Sequence, residues 1–166
     1  MPTLIVDANP MNELHFWEDR TMALKFKKLT PDLMVTDVAI TVKFYIEKLG
    51  FRLNMLVPEN ENTIETNLID GKKYVYAMVS RDEVFLMFMR KDVYEKDVPS
   101  LKDVPIGASA TFYCDVDNID MLFNLFKESG VDIIKNVSMT WYGMKEFYIK
   151  DCNGYILGFA EQVKQP

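Results

Sequence analysis

The chain repeats itself at a step of 80 residues: Asp37 falls on Asp117 and Gly50 falls on Gly130. Self-similarity at a fixed period decides the architecture before any single element does, because each copy is then one supersecondary unit. In the first copy, residues 29–35 alternate apolar and polar side chains and read as a strand, with Pro31 suited to an edge or a strand start. Asp37 reads as an N-cap, Ile40, Val42, Phe44, Tyr45 and Leu49 fall on a helical stripe, and Gly50 takes the terminating position. A strand over 51–57 and a hairpin of strands 74–80 and 84–90 complete the unit. The second copy runs in the same order. Residues 108–116 read as a strand, Asp117 as a cap, and 119–129 as a helix with Met121, Leu122, Leu125 and Phe126 on its apolar face. Gly130 ends that helix, 131–134 begin a strand, and the Asn153-Gly154 turn joins strands 146–150 and 155–161.

The expected fold is therefore α+β: two βαβββ modules forming a curved mixed sheet around a cup-shaped cavity. Neither module alone can bury both faces of its own sheet, so the two must share a core. This divides the chain into an N-terminal extension, 1–24, and a single domain, 25–162. Within the domain, module one spans 25–90, a charged linker with two prolines spans 91–107, and module two spans 108–162. The extension holds Phe16 and Trp17, and two readings of it stay open: a segment docked on the body or a second subunit, or a poorly ordered arm.

Several functional classes fall away on composition. A formal charge of −6 gives no basic face for nucleic acid; it is compatible with a cationic ligand and equally with ordinary solubility. The single histidine, His15, and the isolated Cys114 and Cys152 leave a zinc site or a histidine-based nucleophile short of partners. No apolar run approaches the roughly 20 residues that span a bilayer. The start lacks a basic, then long apolar, leader pattern, so a reduced, cytoplasmic protein is expected.

The motifs resemble a known superfamily. Pro31, Leu33, Val35 and Asp37, then Phe44-Tyr45 and Leu49-Gly50-Phe51, look like the first-module signature of the vicinal oxygen chelate superfamily. That superfamily includes glyoxalases, extradiol dioxygenases and bleomycin-resistance proteins. Val116-Asp117, Trp141-Tyr142-Gly143 and the run from Phe147 to Gly154 resemble the second module, with Cys152 where the turn usually has proline. The resemblance implies four inward positions for metal ligands, which fall here near Thr30, Leu86, Thr111 and Gly158. None carries a carboxylate or an imidazole, and a divalent cation needs several converging donors. The chain is thus closest in character to the metal-free, bleomycin-resistance-like members. Their likeness implies no cofactor, a homodimer, and a small cationic or aromatic ligand held without being changed.

Strand alternation supplies the candidate ligand-binding set: Asp32 and Met34 on the first strand, Thr111 and Tyr113 on the fifth, and Gly158 on the eighth. Phe85 and Met87 come from the fourth strand, although periodicity alone allows Leu86 and Phe88 instead. Trp141 and Tyr142 stand where an aromatic wall or lid would be. Plainer readings accompany each: Asp32 as a solvated strand-end acid, the aromatic pair as core or dimer contacts, and most of the 11 methionines as core filler. An enzyme is the alternative, using atypical metal ligands or a carboxylate base, Asp32 or Asp115 with Tyr113 nearby. A sensor or partner-binding domain is a third reading.

Overall fold

Asp37 starts the first helix as its N-cap, its carboxylate accepting a 2.9 Å hydrogen bond from the Ile40 amide. In the computed structural model, which describes residues 26–107 and 109–163, this helix, α1 (Val38–Glu47), follows strand β1 (Asp32–Val35). Strands β2 (Arg52–Pro58), β3 (Tyr74–Arg81) and β4 (Val84–Arg90) complete module one. Module two repeats the order as β5 (Thr111–Asp115), α3 (Ile119–Glu128), β6 (Asp132–Met139), β7 (Met144–Lys150) and β8 (Ile156–Gln162). Between the modules, a short helix α2 (Lys91–Asp97) and a 3-10 turn (Pro99–Leu101) occupy the segment expected as a plain linker. The extension 1–24, with His15, Phe16 and Trp17, and Ala108 at the start of module two lie outside the described residues.

The fold is α+β, and the mixed sheet comes as two four-stranded halves. Their strand orders are β1-β4-β3-β2 and β5-β8-β7-β6, each with its first pair parallel and the others antiparallel. One face of each half packs on its own helix. A single apolar core joins the two helix-facing sides, from Val35, Tyr45 and Phe88 in module one to Phe126, Phe147 and Phe159 in module two.

The helices do not keep the 80-residue step of Asp37 and Asp117. The N-cap of α3 is Asn118, not Asp117, and its side chain makes no capping bond. Asn118 adopts a left-handed conformation (φ 57°), and the Ile119 amide is satisfied from outside the helix by the Glu161 carboxylate on β8, at 2.9 Å. The helix begins one residue late, while Gly50 and Gly130 keep the 80-residue step. One residue turns a helix by about 100°. Val38, Thr41 and Tyr45 are therefore matched in the core by Ile119, Leu122 and Phe126, and Met121 and Leu125, expected inside, are exposed. Ile40 is exposed too. The extra residue in module one is absorbed where α1 ends: the Phe51 amide reaches back six residues to Tyr45 O, against five for Val131 to Phe126 O.

The modules are joined by a buried carboxylate. Asp151, in the turn between β7 and β8, accepts from the Tyr155 amide at 2.7 Å, the Asn153 amide at 2.9 Å and the Tyr45 hydroxyl at 2.9 Å. The Tyr45 bond crosses from α1 of module one, and Tyr155 answers by donating its hydroxyl to Met34 O at 2.9 Å. Burial raises the Asp151 carboxyl above its ordinary range, and these donors pull it partly back. Removing the carboxylate with Asp151→Ala leaves three donors without an acceptor and is expected to cost about 3 kcal/mol in urea denaturation. Asp151→Asn, which keeps one acceptor oxygen, should cost clearly less; equal losses for the two variants would contradict this role.

Candidate functional site

The face of each half-sheet turned away from its helix carries the candidate residues. In module one, Leu86 and Phe88 point into the core, so Phe85 and Met87 take the open face. Strand register sets that face out in rows. Asp32, Met87, Met78 and Met55 stand abreast, and beside them run Met34, Met89, Tyr76 and Val57. Five of the chain's 11 methionines therefore share one surface, and none of these five belongs to the core cluster. The core-filler reading fails for Met55, Met78, Met87 and Met89, which are half-buried, whereas Met34 is buried. At the margin, the Lys28 ammonium lies 2.9 Å from the centroid of the Phe85 ring.

The open face of module two is built differently. Tyr113, Gly158, Tyr148 and Lys135 form one row; Asp115, Ala160, Glu146 and Ser138 form the next; Thr111 opens a third beside Ile156. Glu146 is only 4% exposed and accepts from Lys135 at 2.6 Å, Tyr113 at 3.2 Å and Tyr148 at 3.3 Å. The Lys135 hydrogen bond holds the Glu146 carboxyl below its ordinary range. Desolvation, then the Glu146 carboxylate, pushes the Tyr113 hydroxyl up to about 12. A Cβ at residue 158 would come within 2.7 Å of the Tyr148 ring and 3.0 Å of the Tyr113 ring, so glycine there makes room for two tyrosines. Sequence reasoning missed Glu146, Tyr148 and Lys135. For the first two the signal was available, since alternation along 144–150 places both beside Gly158.

The candidate residues thus divide between the two halves: Asp32, Met34, Phe85 and Met87 on one, Thr111, Tyr113 and Gly158 on the other. Trp141 and Tyr142 lie on neither sheet face. They occupy the β6–β7 turn, 91% and 54% exposed, with their rings edge to face at 5.4 Å. Asp32 and Tyr113, paired in the enzyme alternative, stand on different sheets, and Tyr113 is engaged by Glu146.

Two clefts open beside the sheets, the first at the margin of module one's open face and the second on the core side. One, of about 430 Å³, lies between β1 and the 91–107 segment, lined by Asp32, Met34, Tyr94, Leu101, Ile106 and Tyr155 among others. The other, of about 450 Å³, is lined by residues of both modules, including Phe51, Arg81, Cys114 and Phe159. Burial raises the Cys114 thiol, so nothing there activates it as a nucleophile.

The model of the Glyoxalase/Bleomycin resistance protein/Dioxygenase superfamily matches residues 25–159, and the chain belongs to that superfamily. Among solved structures, it is similar to a glyoxalase/bleomycin resistance protein/dioxygenase from Nocardioides, with 16% identity and a TM-score of 0.63, covering 94% of this chain and 95% of that one. TioX from Micromonospora sp. ML1 superposes with a TM-score of 0.61 at 15% identity, over 83% of this chain and all (100%) of the other. The bleomycin-binding protein of Streptomyces verticillus, complexed with copper(II)-bleomycin, gives 0.52 at 19% identity, over 82% of this chain and 96% of that one. No curated protein sequence matches.

The four positions that the resemblance marks for metal ligands do not supply a set of donors. Leu86 is in the core, Gly158 has no side chain, and Thr30 and Thr111 offer only hydroxyls. Among the described residues, no three His, Cys, Asp or Glu side chains converge.

The Glu146 cluster makes a signed prediction. A carboxyl depressed in the folded state adds stability that is present above its ordinary value of 4.5 and lost as pH falls through its folded value. Glu146→Gln should therefore remove that acid-side loss, so its stability difference from wild type should shrink as pH falls below 4.5. Denaturant melts at stepped pH measure it; a difference independent of pH would contradict the pairing. Gly158→Ala, which must displace a tyrosine ring, is expected to cost about 1–3 kcal/mol.

Proposed function

We propose that this chain is a metal-independent binding protein that sequesters a small aromatic or cationic compound, acting as a cytoplasmic homodimer. The observation that carries the reading is the methionine-rich open face of module one, with Asp32 at its edge. Thioether side chains repack around varied shapes and contact aromatic rings favourably, which suits an adaptable surface for a flat ligand. The donor set at the superfamily's metal positions supports a role without metal. The bleomycin-binding neighbour is a protein of the same fold complexed with copper(II)-bleomycin, and the proposal carries small-molecule binding to this chain.

Two features favour a second copy as the cover for these faces. Among the described residues all strands belong to the two four-stranded sheets and none is left over to cover an open face, and Trp141 stands 91% exposed at a hairpin tip, an unusual place for the largest apolar side chain. Among the described residues no helix is long and apolar enough to cross a membrane. The second functional reading is an enzyme with a carboxylate base. It draws on Asp32, whose carboxyl burial raises above the ordinary range, the direction a base working near neutrality requires.

Calorimetry with bleomycin and with simpler cationic aromatics, on protein treated with EDTA and dialysed, tests the proposal. Saturable binding without turnover is expected, and Met78→Ala with Met87→Ala should weaken it several-fold, or about 1 kcal/mol. Binding or product formation that requires a stoichiometric metal would overturn it. Sedimentation velocity should give twice the chain mass, shifting toward the monomer in Trp141→Ala.

A further inference from the structure

The cleft between β1 and the 91–107 segment, at the edge of module one's open face, holds an acid with no cationic side chain among its described lining. Oδ1 of Asp32 is buried and has no hydrogen-bond partner among the described residues. The Tyr94 hydroxyl lies against Asp32, donating to its backbone carbonyl at 3.4 Å and pulling its carboxyl partly down, yet it leaves Oδ1 unpartnered. None of the residues lining the cleft is a lysine or an arginine. The contrast with Glu146 is direct, since that buried acid carries its own ammonium, Lys135, at 2.6 Å.

The surroundings of Asp32 are aromatic and apolar. Tyr94 on α2 and Tyr155 after the last turn line the cleft, with Leu101, Val104 and Ile106 from the connecting segment. Tyr76, on the open face, senses the Asp32 charge as well: desolvation first, and then that carboxylate, raise its hydroxyl. Leaving an acid orphaned in such a place costs free energy that a buried structural carboxylate, like Asp151, recovers from donors. Asp32 has no such donors on its free oxygen.

We propose that this cleft is a binding site for a small organic ammonium ion, with the Asp32 carboxylate as its counter-charge and the Tyr94 and Tyr155 rings as its walls. Tyrosine faces attract a cation through their quadrupole, and a carboxylate beside them supplies the formal charge. A bare metal ion would require several oxygen ligands, and the cleft offers one carboxylate. A volume of about 430 Å³ suits a compact ligand rather than a large one. The segment expected as a linker thereby becomes one wall of a site. This deepens the reading above and rests on it only in treating the chain as a small-molecule binder.

Benzyltrimethylammonium and its uncharged counterpart 2-methyl-1-phenyl-2-propanol, titrated calorimetrically into the full chain at pH 8, test the inference. Wild type should bind the ammonium about tenfold or more tightly than the alcohol, the size of one well-made charge contact. Asp32→Asn should bring the two affinities together, and Tyr94→Ala should weaken the ammonium alone. Asp32→Asn should also keep or raise the thermal midpoint. A carboxyl whose folded value is raised adds stability below its ordinary 3.8 and loses it as pH climbs through the folded value, so removing the charge relieves a cost at pH 8. Equal affinity for both probes, or an Asp32→Asn protein that still prefers the ammonium, would overturn the site while leaving small-molecule binding intact. No binding of either probe would also overturn it, and the bleomycin titration then decides the broader reading separately.

Discussion

The two modules are held in register by the buried Asp151 carboxylate, and the rest of the molecule takes its geometry from that junction. A carboxylate that accepts from two backbone amides and a tyrosine hydroxyl fixes direction as well as position. It clamps the turn before β8 and simultaneously anchors α1 through Tyr45, whose ring packs between Phe51 and Phe88. Tyr155, positioned by the same carboxylate, reaches β1 through Met34 O. The polar lock and the apolar core are thus one unit. The cleft beside Asp32 has Tyr155 as a wall because the lock places it there.

The outline of this arrangement was legible in the sequence because it rests on local chemistry. A short acid before an apolar stripe, a glycine after it and Asn-Gly between strands each act within a few residues of themselves. What failed was non-local. Asp117 matched Asp37 by spacing, yet Asn118 takes the cap position and the Ile119 amide is satisfied by Glu161, 42 residues further along the chain. α3 therefore starts one residue later than the match implied, and Met121 and Leu125 stand at the surface. Likewise, no local pattern shows that the 91–107 segment folds against β1, since its contacts with Asp32 and Met34 depend on where module two sits.

The candidate site was half legible for the same reason. Alternation sorted residues by face correctly within each strand, and strand register then assembled the rows. Alternation could not decide between Phe85–Met87 and Leu86–Phe88, because both sets are apolar and only the helix on the other side breaks the tie. Glu146 was overlooked as one more surface acid. Its importance comes from Lys135, Tyr113 and Tyr148, which arrive from β6, β5 and β7.

The two open faces, equivalent in topology, differ chemically: one is thioether-rich, the other a network of charge and phenol. The first has a further property. Its five sulfur atoms are carried on side chains that are oxidisable one at a time, and each sulfoxide formed replaces an apolar contact with a polar, chiral one. The apolarity of that face is therefore a chemical state as well as a composition, and it persists only as long as the surroundings keep the thioethers reduced.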